Sequence, residues 1–412
     1  MLKLTKLNNG MTVISDSIDS IETISLGIFV SVGSVNEEDN QKGLSHFLEH
    51  MVFKGTTTRN ALQISSEIES VGGIMNAFTG QEMTGFHVKI LKEHLPLAID
   101  IISDMLQNPT FDSIEFDRER KVVIQEIKMV NDSPDDYISD LFQSTCFTNE
   151  RLGSPILGFE EGILSYTPDN IRNYMDTNYS IDKMVLVASG NVKHDELVDL
   201  ANKFIVKLKQ FKTKQVKKQN YTGGYLYKER DLEQTHIMMG YEGCSYNDNT
   251  KYKLMLLSSI LGSGSSSRLF QEVREKRGLV YTVYSTTSSF RDTGTFGVYA
   301  ACEPSKTEEV ISIVKEELNK IQSNLSIEEL NKAKMQLKSP ILMGLEINSN
   351  RMEKIASQYL LEGKITEVNE TISSINRLDI EDIESIANSV VNNNKYTLTI
   401  LGKPSNTDFY RL

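Results

Sequence analysis

Two histidines and a glutamate fall within one helical turn in "GLSHFLEHMVFKG", residues 43–55. On a helix, positions i, i+3 and i+4 share a face. His46 and His50 can therefore reach a common point, the spacing that helical zinc sites use. Glu49 lies on the same face, where it can hold a proton beside a metal-bound water. The neighbours Phe47, Leu48, Met51, Val52 and Phe53 are apolar, so the helix is expected to be buried. Burying such polar groups without partners costs several kcal/mol, and a bound cation would offset that cost.

A catalytic zinc takes three protein ligands and keeps one position open. The third ligand is sought in "RERKVVIQEIKMV", where Glu119 and Glu126 lie seven residues apart on one helical face. Glu126 is the expected ligand. Glu119 is expected to accept the free N–H of a ligating histidine and so fix its tautomer. The remaining histidines, His87, His94, His194 and His236, stand alone and read as strand or surface residues.

The elements that carry these residues occur twice. "SIEFDRERKVVIQEI" from Ser113 matches "SIEELNKAKMQLKSP" from Ser326, an offset of 213. "MVLVASGNV" from Met184 matches "YTLTILGKP" from Tyr396, an offset of 212, and Gly27 corresponds to Gly240. The chain thus reads as two copies of one domain: a catalytic zinc-binding domain over 1–210, a linker at 211–223 within a Lys/Gln-rich stretch, and a homologous domain over 224–412. Strand-like runs such as "TISLGIFVSV" and "GTFGVYAACE" alternate with helical patterns. The expected class is α+β, each domain a mostly antiparallel sheet backed by helices. By the same offsets His46, Glu49 and His50 become Ser258, Leu261 and Gly262, while Glu119 and Glu126 become Lys332 and Ser339. The second copy has lost the motif, which points to chemistry in the first.

Composition bounds the partners. The 412 residues carry a net charge of −12, which argues against nucleic acid and is compatible with cationic ligands, or with solubility alone. No apolar run reaches the roughly 18 residues of a spanning helix, so no membrane partner is expected. The first residues, "MLKLTKLNNGMTVISD", pattern as a strand and turn rather than a leader. Three cysteines, Cys146, Cys244 and Cys302, form no disulfide framework and suit a reducing compartment, so a cytoplasmic protein is expected.

"GLSHFLEHMVFKGT" resembles the signature of the inverted-motif zinc peptidases, the group of pitrilysin, insulin-degrading enzyme and the mitochondrial processing peptidase. The distance from His50 to Glu126 and the position of Glu119 fit that family's third ligand and accessory glutamate. "GGIMNAFTGQEMTGFHV" resembles its edge-strand segment, which implies that Asn76 and Ala77 line the substrate cleft. "RLFQEVREKRGLVYTVYS" resembles the segment that supplies an Arg and a Tyr to the substrate, here Arg274 and Tyr281. The resemblance spans nearly the whole chain and is strongest to the short, two-domain branch. It implies one Zn2+ per chain, Glu49 as general base, Tyr281 at the developing oxyanion and Arg274 on a substrate carbonyl. It further implies an extended peptide substrate, an unstructured or presequence-like segment, and the acidic composition motivates a basic preference. Long members enclose substrate with four such domains, so this chain is expected to pair, as a homodimer or as a heterodimer with a related chain. The alternative within the same fold is a non-catalytic scaffold or partner subunit, which would normally have lost part of the motif that this chain keeps.

Overall fold

The computed structural model describes residues 2–393 and 395–406. They fall into two compact units. The first comprises the described chain up to Lys128, Ser154–Lys217 and Met343–Ile365; the second comprises Met129–Gly153, Lys218–Leu342 and the described chain from Thr366.

The first unit is built on six strands: β1 (Leu2–Lys6), β2 (Thr12–Ser17), β3 (Thr23–Val30), β4 (Ile74–Thr79), β5 (Thr84–Leu91) and β6 (Met184–Gly190). Their order is β1-β2-β6-β3-β5-β4, antiparallel throughout except for the parallel pair β2–β6. The second unit repeats this with β7 (Gly224–Glu229), β8 (Thr235–Glu242), β9 (Val280–Ser289), β10 (Gly294–Cys302) and β11 (Tyr396–Gly402), in the order β7-β11-β8-β10-β9. The α+β class and mostly antiparallel sheets expected from the pattern are what the chain adopts.

The duplication extends to the ladders. Thr12 pairs with Val185, and Gly224 pairs with Thr397, each partner displaced by 212 residues. One sequence equivalence slips: Gly27 faces Val187, whose counterpart Thr399 faces Met238, not Gly240. A slip of two residues leaves the inward and outward faces unchanged, so the pattern could not reveal it.

Helices α1 (Leu44–Val52), α2 (Ala61–Glu69), α3 (Leu95–Gln107) and α4 (Ser113–Asp132) follow one another along the first half. After α5 (Pro134–Cys146) come α6 (Glu160–Ser165), α7 (Pro168–Asn178) and α8 (His194–Phe204). The second half adds α9 (Lys251–Gly262), α10 (Thr307–Ile321), α11 (Ile327–Gly344), α12 (Asn348–Ser357), α13 (Val368–Arg377) and α14 (Ile380–Val391). In the first unit Ile24, Leu26 and Ile28 of β3 and Leu186 of β6 join Phe47, Leu48 and Met51 of α1 in one core.

The central strands are buried on both faces, a cover beyond what the alternating runs of the sequence suggest. The extra cover comes from two helices that cross the expected division of 1–210 and 224–412. Helix α5 packs on β11 and β8 of the second unit, where Gly240 lacks the Cβ that would come within 2.4 Å of the Phe142 ring. Helix α12 packs on β6 and β3 of the first, where Arg351 Nε donates to Asp16 at 2.6 Å and Asn348 to Thr23 Oγ1 at 3.2 Å.

Candidate metal centre

Helix α1 buries Leu44, Phe47, Leu48, Met51 and Val52 in the core, which turns His46, Glu49 and His50 to its other side. Helix α4 buries Phe116, Val123 and Ile127, and Phe116 stacks on Phe47 with ring centroids 4.7 Å apart. That stack holds the two helices together and brings the glutamates of α4 over the histidines of α1.

Glu126 Oε2 lies 3.6 Å from His46 Nε2 and 3.4 Å from His50 Nε2, and the two Nε2 atoms are 3.3 Å apart. A tetrahedral zinc with bonds near 2.0–2.1 Å requires ligand-to-ligand edges of about 3.3 Å. The triangle therefore fits three corners of such a site. Among the described residues, these three form the one group of His, Cys, Asp or Glu side chains close enough to share an ion. The donor set, two imidazoles and a carboxylate, is the type used by catalytic zinc.

The surroundings drive the two histidines in opposite directions: burial lowers His50, but its bond to Glu119 and the charges of Glu126, Glu119 and Glu49 outweigh it and raise it above its usual value. Burial pushes His46 down to about 3, with repulsion from His50 adding to it, so its imidazole is neutral as a ligand must be. His50 Nδ1–H donates to Glu119 Oε2 at 3.0 Å, leaving Nε2 free for a cation. Glu119 Oε1 pairs with Lys54 Nζ at 2.8 Å. Burial alone would raise Glu119, but its bonds to His50 and Lys54 hold it below the ordinary carboxylate range. Glu49 accepts a hydrogen bond from Thr79 Oγ1 at 2.5 Å. Burial raises Glu49 above its usual value, against the opposing pull of Thr79 and His50, which suits a group that must take and return a proton.

Thr79 ends β4, the edge strand of its sheet, so Glu49 touches the strand that carries Asn76 and Ala77. Asn76 pairs with His87 and Ala77 with Phe86 on β5, and among the described residues no strand pairs with the other side of β4. In the second unit a turn of π-helix, Phe270–Glu275, presents Arg274 between the rings of Phe270 and Tyr281, 4.7 Å from each centroid. Tyr281 is 74% exposed.

The second unit's equivalent of the metal helix is closed. Ser258 Oγ contacts Ser285 Oγ at 2.9 Å, and a Cβ at Gly262 would fall 2.4 Å from the Ser285 nitrogen. No imidazole could occupy the place of His50 there. Of the lone histidines, His87 lies on β5 and His236 on β8, where it bonds Tyr299, whereas His194 at the start of α8 is neither strand nor surface: it is buried between Ser15 and Thr5. The three cysteines are free and buried. Sequence reasoning did not find Lys54, Thr79 or Glu37. Lys54 adjoins the motif, but only the fold shows that it reaches Glu119.

The family "Insulinase (Peptidase family M16)" matches residues 12–160, and "Peptidase M16 inactive domain" matches 165–337. An uncharacterized zinc protease of Rickettsia felis is 37% identical over 94% of this chain and 94% of its own length. The uncharacterized zinc protease YmxG of Bacillus subtilis is 32% identical over 98% and 99%. A solved protease structure from Helicobacter pylori superposes with a TM-score of 0.91 at 23% identity, covering 97% of this chain and 99% of that one. With identity this high over nearly the full length, and two family domains in order, the chain belongs to peptidase family M16.

Proposed function

We propose that this protein is a zinc endopeptidase that hydrolyses unstructured peptides or presequence-like segments. The convergence of His46 Nε2, His50 Nε2 and Glu126 Oε2 carries the reading, supported by relatives named zinc proteases. These three side chains would hold one Zn2+ per chain. When bound, the ion polarises the scissile carbonyl and lowers the pKa of water towards about 7.

The chain's own residues do the rest. Glu49, steadied by Thr79, takes the proton of the attacking water and delivers it to the leaving amine. The unpaired edge of β4 takes the peptide as an added strand, with Asn76 and Ala77 beside it. Arg274 holds a substrate carbonyl and Tyr281 donates to the developing oxyanion. The first half of one chain supplies the metal and base, and the second half of the facing chain supplies the substrate-binding groups. The charge of −12 favours basic segments. Two chains, alike or related, enclose the substrate. Three free, buried cysteines suit the cytoplasm; among the described residues no helix is long and apolar enough to cross a membrane.

The test is a digest of varied peptides by the purified chain, with and without chelator, read by mass spectrometry. Cleavage that chelation stops and zinc restores is expected. Zinc-loaded chain that cuts nothing, alone or with a related chain added, removes the reading in favour of a scaffold.

A further inference from the structure

We propose that Glu37 is a positioning residue of the metal centre, gripping the start of α1 with both carboxylate oxygens and so setting the rotation of His46, Glu49 and His50 about the helix axis. Glu37 is wholly buried; its Oε1 accepts the Ser45 N–H at 2.7 Å and its Oε2 the Gly43 N–H at 2.9 Å. The first N–H groups of a helix lack intrahelical partners, and a local Ser, Thr, Asp or Asn side chain usually satisfies one. Here the capping position is Gly43, which has no side chain and a φ of +89°. A carboxyl from six residues upstream does the work instead; burial pushes it up to about 7 against the pull of the two amides, the Ser45 hydroxyl and Lys42, and its ionised form suits the positive end of the helix dipole.

The grip is backed on other sides. Ser45 Oγ bonds Tyr174 OH on α7 at 2.7 Å. Gly43 sits against Leu157, whose carbonyl oxygen would be 2.5 Å from any Cβ there. Ser45 immediately precedes His46, so a change at the grip is transmitted directly to the first ligand. The two histidines differ in what else holds them. His50 has its outer nitrogen bonded to Glu119, whereas His46 Nδ1 is buried without a hydrogen-bond partner among the described residues. No hydrogen bond from that nitrogen orients the His46 ring. Its aim at the ion depends on where α1 points it, and therefore on Glu37.

This inference rests on the zinc reading above, and the test separates the two. Glu37→Gln keeps size but removes the charge and turns an NH2 towards one of the two amides. Zinc affinity is measured by competition with a chromophoric chelator, and Co2+ substitution reports ligand geometry through its visible bands. The expected result is a Glu37→Gln chain with wild-type circular dichroism and a cooperative melt, zinc bound at least tenfold more weakly, and altered cobalt bands. Its kcat should fall at least tenfold with KM within threefold, and Glu37→Asp should be intermediate. A folded Glu37→Gln chain with wild-type zinc affinity, bands and kcat overturns the proposal. Should that variant fail to fold, Tyr174→Phe loosens the same helix start; a several-fold weaker zinc affinity supports the proposal and an unchanged one overturns it. A wild-type chain that binds no zinc sinks the metal reading itself.

Discussion

The Nε2 atoms of His46 and His50 lie 3.3 Å apart, one turn along α1. Two imidazolium groups could not be held at that distance. Two neutral rings sharing a cation can be, and Glu126 stands 3.4–3.6 Å from both. Replacing any of the three should therefore abolish tight binding, because a structural hole in the first coordination sphere is not filled by water alone. His46→Ala, His50→Ala and Glu126→Gln are each expected to reduce zinc from one per chain to below about a tenth. Atomic absorption after dialysis checks it; full zinc content in Glu126→Gln would show that the third ligand lies elsewhere.

Glu49 makes the opposite prediction. It shares the face of the histidines but bonds Thr79 rather than a ligand. Glu49→Gln should keep zinc at the wild-type level and lower kcat by about 10²–10⁴, the usual contribution of a general base. Metal content and turnover measured on the same preparation decide it. Loss of both together would make Glu49 a ligand.

How much of this was readable beforehand varies by element. The α1 motif and the acids of α4 were legible because an amphipathic helix states its own face in its period, and both helices show their apolar stripes; the distance from the motif to Glu126 had meaning only through the family resemblance. The duplication was legible because its offset persists through whole ladders. The exchange of α5 and α12 was not, since an amphipathic helix does not name the sheet it will cover. Ile138, Phe142 and Cys146 would suit either sheet by composition; the gap over Gly240 and Gly297 that receives Phe142 exists only once β8 and β10 are paired. Glu37 was illegible for a related reason: its partners are backbone amides, which have no sequence signature.

The chain from Lys54 through Glu119 to His50 gives a graded prediction. Glu119 fixes the His50 tautomer directly, and Lys54 acts one bond further out. Glu119→Gln should weaken zinc by about 10–100-fold, the usual cost of removing a partner of a ligating histidine. Lys54→Met should weaken it only a few-fold, because that ammonium is partly solvated and its pairing correspondingly screened. The order of the two effects is the content of the prediction. A larger loss in Lys54→Met than in Glu119→Gln would place the lysine, not the glutamate, in control of the ring.

The far end of α1 is held by a different acid, and this sets a pH dependence. The loop after α1 folds back on α3 through Asp104, whose Oδ2 accepts from Thr56 at 2.6 Å, Thr58 at 2.7 Å and Arg59 at 3.0 Å. Asn108 donates to the other oxygen at 2.7 Å. Burial would raise this carboxyl, but the four donors outweigh it and hold Asp104 below its ordinary value of 3.8. A carboxylate depressed on folding stabilises the native state above the unfolded pKa, and that stability is lost as pH falls through the folded one. Asp104→Asn should therefore destabilise the chain by about 1–3 kcal/mol at pH 7, the range for losing hydrogen bonds to a charged group. The gap between wild type and variant should narrow as pH falls below the ordinary value of 3.8 towards the depressed folded one, where the wild-type carboxyl is protonated as well. Urea denaturation of both chains at pH 7 and pH 3 measures it. A gap that stays constant with pH would mean that Asp104 contributes shape rather than charge, leaving the start of α1, not its end, as the part fixed electrostatically.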